Sequence, residues 1–452
     1  MKRMMALALA VLPVLLYPEA KPISLDWCQD AARANYPLIR QYGLIAEAER
    51  YSVNAAITGF LPRLTASGKA TNQSDVTSLA IKIPGVSVPV PSTEQYQVTG
   101  EISEMLWDGN VSMSQRSIAK ASANADRKNL EVNLYALRDR VNQVFFAILL
   151  FDTQLAQNDL LMQELDTNYN RVRAYVDNGI ATRTDLDEIK LEKLNAAQNR
   201  TALLSARKSY RAMLERMVGE KIDEGSVFST PADLAISSTT AAAAAATGIG
   251  SPVGDGAHNG AYSGDESGKS PAADRRPEFA LFDAKVDLLD AQKKLVLAGV
   301  QPKVSAFLQA GYGKPALNML SDDPDTFWVG GIRFSWPMDG FYTIKDNLGK
   351  IDTDIAGMKV QRDLFAYNQS LASDQQRSEI EKLRAMLADD EEIIALRSSI
   401  KATAEKRVEN GTMSVSDLVR EINAESQARQ MRSLREVQLL SAEYNLAFTN
   451  NY

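Results

Sequence analysis

The chain has 452 residues, with 50 Lys and Arg against 57 Asp and Glu, a formal net charge of −7. That length suits two or three ordinary domains or one elongated molecule, and the mild acidity argues against nucleic-acid binding, which needs a basic patch. One cysteine, Cys28, and one histidine, His258, exclude an internal disulfide and a Cys/His zinc cluster. His258 sits in a Gly/Ser/Asp-rich stretch, and neither the dinucleotide nor the P-loop glycine signature occurs. The expectation is therefore no cofactor, no metal and no catalytic site.

In chain order, Lys2 and Arg3 precede an apolar run from Met4 to Leu16, followed by Tyr17-Pro18-Glu19-Ala20. A charged start, a short apolar region and a small-residue end read as a signal peptide over residues 1–20. Cys28 follows Leu25-Asp26-Trp27, the wrong setting for a lipoprotein cysteine, so no lipid anchor is expected. Beyond the signal no apolar stretch is long enough to span a bilayer as a helix, so any membrane entry would be by strands.

Three pairs of segments match in order across the chain. Leu61-Pro62-Arg63-Leu64-Thr65-Ala66 pairs with Gln301-Pro302-Lys303-Val304-Ser305-Ala306, and Leu106-Trp107-Asp108-Gly109 with Pro337-Met338-Asp339-Gly340. The sharpest match sets Asn178-Gly179, Thr182, Thr184, Asp185 and Leu186 against Asn410-Gly411, Ser414, Ser416, Asp417 and Leu418. Their nearly constant spacing predicts a duplicated unit, with repeats at 24–228 and 275–452. Between them, residues 229–274 are rich in Gly, Ser, Asp and Ala, including Ala241 to Ala246, and read as a linker without a core.

Each repeat reads helix, two strands, long helix, turn, helix. The first helix is expected from Leu25 to Phe60 and its counterpart from Pro277 to Val300. No Pro or Gly falls between Asn110 and Asn178, which allows a helix of about 68 residues, roughly 100 Å at its usual rise. Phe341 to Asn410 offers the second. Leu130, Leu134, Leu137, Val141, Val144, Ile148, Phe151 and Leu155, then Met162, Leu165, Tyr169, Val172 and Val176, form a coiled-coil seam that Asn158 interrupts. Ile351, Ile355, Met358, Ile380, Leu383 and Leu387 make a less regular one. The acidic run Asp389-Asp390-Glu391-Glu392 reads as a solvated helix face.

After Pro62 and Pro302 the period changes to two. Leu64, Ala66, Gly68 and Ala70 alternate with polar residues, as do Tyr96, Val98, Gly100 and Ile102. So do Val304, Ala306, Leu308, Ala310 and Tyr312, with Phe307 breaking the polar face, and Trp328, Ile332, Phe334 and Trp336 share a face in the fourth strand. The hairpin loops fall near Asn72 to Glu94 and Lys314 to Asp325. Four strands are too few for a transmembrane barrel, and the alternation makes sense if several chains pool strands, the dry face toward lipid. Trp328, Trp336, Tyr96 and Tyr312 suit aromatic girdles. At the turns, Gly179 and Gly411 can take positive φ, Thr182, Thr184, Ser414 and Ser416 can cap the returning helix, and Asp185 and Asp417 suit its first turn.

The order of these features resembles the TolC-like outer-membrane efflux family. Ile23 through Pro37 is similar to its opening helix, Arg276-Pro277-Glu278 to the opening of its second half, and the two Asn-Gly turns to its periplasmic tips. The resemblance implies a mostly α chain with a small β part: long coiled-coil hairpins forming a periplasmic barrel, and four strands per chain in a trimeric 12-stranded transmembrane β-barrel. It implies a homotrimer in outer-membrane lipid, working with a periplasmic adaptor (a membrane fusion protein) and an inner-membrane transporter, and passing substrates out unchanged. It also implies adaptor docking at Gly179, Thr182, Thr184, Asp185, Gly411, Ser414 and Ser416, and an aperture at Asp417. Thr184 and Asp185 match the acceptor side of a tip lock found in relatives, while Val408 and Met413 occupy its donor positions, so the lock is not implied here. Asp417 matches one aspartate ring, and Arg420 stands where a second would be. The alternative reading is a periplasmic coiled-coil adaptor or structural scaffold, which leaves the matched strands unexplained.

Overall fold

The computed structural model describes residues 22–77, 90–179, 181–231, 276–319 and 321–451. The expected signal peptide and nearly all of the 229–274 linker, including His258, lie outside the described residues. Eleven regular elements follow one another among those described: α1 Leu25–Asn35, α2 Gln41–Ile57, β1 Arg63–Asn72, β2 Glu94–Trp107, α3 Val111–Asp177, α4 Arg183–Val218, α5 Pro277–Gly299, β3 Lys303–Lys314, β4 Asp325–Ser335, α6 Ile344–Glu409 and α7 Val415–Asn450. The chain is mostly helical with one small antiparallel sheet. No described helix is long and apolar enough to cross a membrane.

The single expected helix from Leu25 to Phe60 is two. Tyr36 is extended, with ψ 126°, and a short 3-10 turn over Pro37–Arg40 leads into α2. Pro37 causes the break, since the ring of a proline disfavours helical backbone in the residue before it. The two long helices run 67 and 66 residues, close to the expected spans.

Two compact units divide the chain, one of Met1–Ile39, Ala136–Gly268 and Leu371–Tyr452, the other of Arg40–Tyr135 and Lys269–Ser370. The first unit is helical. Its apolar centre joins Leu25, Cys28 and Ala32 of α1 to Val141, Phe145 and Ile148 of α3, Leu214 and Val218 of α4, and Phe228. Phe145 meets Phe146 and Phe228 edge-on at 6.1 and 5.6 Å, the favoured aromatic geometry. The Cys28 thiol is fully buried here, and burial pushes its pKa up to about 12, leaving an inert apolar group. Helix α4 ends at Gly219, φ +83°, where a Cβ would run into the Asn35 side chain. A parallel bridge between Ile23 and Phe228 ties the start of α1 to the segment after α4.

The predicted α3 seam is buried at Leu130, Leu134, Leu137, Val141, Val144, Ile148, Leu165 and Val172. Asn158 continues it by other means. Its Nδ2 donates to Ala196 O at 3.1 Å and its Oδ1 accepts from Asn199 Nδ2 at 3.2 Å, fixing α3 against α4. A polar residue at one seam position sets register in this way.

Across α6 and α7 the first unit relies on ion pairs. Arg384 bonds Glu443 at 2.6 Å, Arg435 bonds Asp390, and Arg432 reaches Glu391 at 3.4 Å. The expected solvated acidic face is therefore corrected at one position. Asp389, Glu391 and Glu392 are exposed, but Asp390 is 3% exposed and faces α7. Its place on the buried side of the helix, opposite Arg435, could not be read from a run of four acids.

In the second unit, α2, α3, α5 and α6 lie side by side. Arg127 of α3 pairs with Glu49 of α2, and Lys293 of α5 with Asp352 of α6. The Arg276-Pro277-Glu278 motif opens α5 with proline at its first turn, where the missing N–H costs nothing. Arg276 bonds Glu278 through two nitrogens and lies 5.2 Å from the ring centres of both Tyr135 and Phe365, so one guanidinium joins α3, α5 and α6.

Arg435→Met strands Asp390 as a buried, unpaired carboxylate and should cost about 3–5 kcal/mol. Adding Asp390→Leu should restore most of it, as read by thermal unfolding of the purified protein in detergent. A single variant as stable as the parent would show that the pair is not a structural tie.

Candidate functional site

The sheet has the order β1-β2-β3-β4, antiparallel throughout. Its register sets the side chains into two faces. One carries Leu64, Ile102 and Leu308 in a row, then Ala66, Gly100, Ala310 and Trp328, then Gly68, Val98 and Tyr312. The other carries Arg63, Thr65, Ser67 and Lys69 of β1, Gln97, Thr99 and Glu101 of β2, and Gln309 of β3.

Exposure is the reverse of that in a water-soluble sheet, where the apolar face packs inward and the polar face is wet. Leu64, Trp328 and Ile332 are 78%, 72% and 73% exposed, while Thr99 on the polar face is 7% exposed. Along β2 every residue from Gln95 to Met105 on the polar side is shielded, and every one from Glu94 to Leu106 on the apolar side is open. Strands of 10, 14, 12 and 11 residues suffice to cross a bilayer at a tilt. Tyr96 and Tyr312 stand 6.3 Å apart toward the loop end, with Trp328 one row further in.

A bulge between Met105 and Trp107 turns Trp107 onto the apolar face opposite Val304, beside Phe334. Strict alternation had hidden this aromatic. Trp336 falls one residue beyond β4, and its Nε1 donates to Val300 O at 3.0 Å. Glu104 also lies on the apolar face, near its helix-side end, opposite Ala306.

The two helical turns lie in the first unit. Gly179 and Gly411 have φ of +72° and +68°, and a Cβ on either would meet nothing, so backbone conformation alone requires glycine. Gly411 N–H donates to Val408 O at 3.0 Å and Thr412 N–H to Arg407 O at 2.8 Å, closing the helix end with paired reverse bonds. Thr182 and Ser414 are the N-caps. Asp185 N–H donates to Thr182 Oγ1 at 3.3 Å while Thr182 N–H donates to Asp185 Oδ2 at 2.8 Å, a reciprocal box. Asp417 N–H donates to Ser414 Oγ at 3.1 Å.

The capping expectation is corrected for Thr184 and Ser416. They fall two residues past the caps, inside the first turn, where a side chain cannot reach back to the free N–H groups. The Asp417 carboxylate accepts from the Ser414 hydroxyl at 2.7 Å and pairs with Arg420. Val408 and Met413 pack into the apolar cluster of Leu165, Val172, Ile189, Val415, Leu418 and Ile422 that holds α3, α4, α6 and α7 together below the turns.

Next to that cluster sits a charged group that the sequence reading passed over. Glu425 of α7 is 3% exposed. Its carboxylate takes bonds from Lys401 and Ser398 of α6 and from Arg429, at 2.6 Å for the Arg429 contact. Lys401 also reaches Glu164 of α3 at 2.7 Å, so one ammonium joins two helical hairpins. Burial alone would raise the Glu425 pKa, but the bonds from Lys401, Ser398 and Arg429 win and hold it at about 2. A signal existed: Val415, Leu418, Ile422 and Glu425 follow the seam spacing of three and four, and an acid at a seam position needs a buried partner. No described cluster of His, Cys, Asp or Glu could hold a metal ion.

Because the folded pKa of Glu425 is depressed, its contribution to stability is present above the ordinary carboxylate range and lost as pH falls from 4.5 toward about 2. Lys401→Met leaves burial opposed by fewer bonds, so the pKa should rise. Thermal stability should drop by about 3–5 kcal/mol at neutral pH, and the acid limb of stability should begin at higher pH. Glu425→Gln in that background should recover part of the loss. Superimposable pH profiles for parent and Lys401→Met would show that Lys401 does not hold the carboxylate.

The family described as Outer membrane efflux protein matches residues 29–220. No curated protein matches the chain in sequence. Among solved structures, the fold is similar to that of CusC, at 12% identity and a TM-score of 0.68, covering 94% of this chain and 91% of that one. It is similar to the outer membrane protein VceC from Vibrio cholerae, at 11% identity and 0.64, covering 94% and 95%. It is also similar to the open-state MtrE outer membrane channel of Neisseria gonorrhoeae, at 16% and 0.60, covering 94% and 88%. These are folds of channel proteins. The outer-membrane efflux family thus matches most of the first half of the chain, and the fold of these outer-membrane channels is shared over nearly its whole length.

Proposed function

We propose that this chain is the exit duct of a tripartite efflux or type I secretion system. It receives substrates from an inner-membrane transporter and conducts them, chemically unchanged, through the periplasm to the outside. The observation that carries the reading is the sheet's open apolar face, with the polar side of its central strand β2 shielded. In water such a face would aggregate, whereas in a bilayer it is satisfied.

The sheet ends in two open edges, β1 and β4, and exposed strand edges do not persist in hydrocarbon. Three copies joined β4 to β1 would close a 12-stranded barrel. The helices beside the sheet repeat the pattern. The first, α2, exposes Leu44 and Tyr51, and the last, α6, exposes Val360, Leu364 and Tyr367 at steps of four and three. That is a coiled-coil stripe suited to a neighbouring copy. We assign adaptor docking to the turns at Gly179, Thr182, Thr184, Asp185, Gly411, Ser414 and Ser416, supported by the solvent exposure of most of these residues. We assign the aperture to Asp417, whose charge is offset by Arg420. The duplicated unit at 24–228 and 275–452, with export by residues 1–20, belongs to the same proposal.

A charge on the lipid face costs about 2–4 kcal/mol at the bilayer midplane. Ile102→Arg, mid-strand on the apolar face, should therefore abolish channel insertion in planar bilayers. Gln97→Arg, on the opposite face of the same strand, should still insert and should alter conductance. Equal behaviour of the two, or a parent protein that stays soluble without detergent and never conducts, would favour a periplasmic scaffold. Asp417→Ala should change ion selectivity, and unchanged selectivity would leave Asp417 as a helix cap only.

A further inference from the structure

The polar face of the sheet is not uniformly polar. Phe307, Val329 and Phe327 all lie on it, where alternation calls for water-loving side chains. The ladder sets Phe307 opposite Gly331, Val329 opposite Gln309, and Phe327 opposite Gly311. The three therefore form a continuous apolar strip along β3 and β4. The Phe327 ring lies against Gly311, 2.8 Å from where a Cβ would stand, and Phe307 lies 3.4 Å from that position at Gly331. Shielding of glycine backbone accounts for the placement of the two rings. It does not account for Val329, nor for what stands at the strip's end.

At the Phe307 end the face becomes basic. Arg63 is in the same row as Phe307 through Ser103, Arg333 is the next residue on that face of β4, and Lys303 lies beyond Ser305. The Arg333 guanidinium is 4.6 Å from the Phe307 ring centre and bonds Glu101 at 3.3 Å, yet its side chain remains 52% exposed. The stacking and the ion pair hold it in one orientation with donors to spare. Over the whole face four cations, Arg63, Lys69, Lys303 and Arg333, meet two carboxylates, Glu101 and Asp325, in a chain whose net charge is −7.

We propose that this strip is a binding track for amphiphilic organic anions. The flat apolar body of such a molecule lies along Phe307, Val329 and Phe327, and its acid group is taken by Arg333 with Arg63 and Lys303 nearby. The inference rests on the duct reading, under which this face lines the passage. The charge balance selects acids over bases, and the apolar strip selects a hydrocarbon or aromatic body over a small hydrated ion. Three chains would present three tracks around one passage, a series of weak sites suited to transit.

The test is single-channel recording of the purified full chain with naphthalene sulfonate as the probe, against methanesulfonate and a naphthyl trimethylammonium cation. Naphthalene sulfonate should interrupt the current at concentrations where the other two do not. Arg333→Gln should weaken that block by about tenfold or more, the worth of a charged hydrogen bond, and Phe327→Leu with Val329→Thr should weaken it while leaving any effect of methanesulfonate unchanged. The unblocked conductance of each variant shows in the same trace that the duct has formed. Where a variant does not insert, the probe comparison on the parent protein decides alone. Equal block by the naphthyl cation, or block indifferent to Arg333→Gln in a conducting channel, overturns the track and leaves the duct intact. A parent protein that never conducts overturns the duct reading, and the track with it.

Discussion

Backbone hydrogen bonding at the edges of a four-stranded sheet governs the rest of this molecule. Strands β1 and β4 each present a row of N–H and C=O groups with no partner strand among the described residues. In water such an edge invites aggregation; in hydrocarbon each unpaired group costs several kcal/mol. The open apolar face compounds the demand, since Leu64, Trp328 and Ile332 are largely exposed. In the proposed duct, lipid covers this face and further copies cover the two edges. The apolar stripes left open on α2 and α6 point the same way.

The helical unit solves a different problem. Long helices with little aromatic bulk cannot build a thick core, and their seams carry polar groups at intervals. Asn158 hydrogen-bonds across α3 and α4, while Asp390, Glu443 and Glu425 are buried and each answered by an arginine or lysine on a neighbouring helix. Buried pairs of this kind add little net stability compared with hydrophobic packing, but breaking one is costly. They hold each hairpin in one register, and Lys401 extends that control to a second hairpin through Glu164. A purely apolar seam would let two such helices slip by a heptad at small cost.

The polar face of the sheet shows how a feature that breaks a pattern can carry meaning. Phe307 was legible as an exception to alternation, and it proved to have companions in Val329 and Phe327 and a stacked arginine at its end. Relatives at 11–16% identity share the fold while little of the sequence is common.

Much of the architecture was legible in the sequence because it rests on local periodicity. The period of two in the strands, the steps of three and four along α3, and glycines at the two turns each follow from the geometry of one element, and each appears where expected. The capping residues were half legible: Thr182 and Ser414 cap, but Thr184 and Ser416, of the same residue types two places on, do not. What depended on contacts between distant segments was decided only by the tertiary structure. The burial of Asp390, the bridge of Lys401 between Glu164 and Glu425, the grip of Arg276 on Tyr135 and Phe365, and the turn of Trp107 onto the apolar face all require knowing which element lies alongside. A charge is worth burying only where its partner waits, and position along the chain does not say where that is.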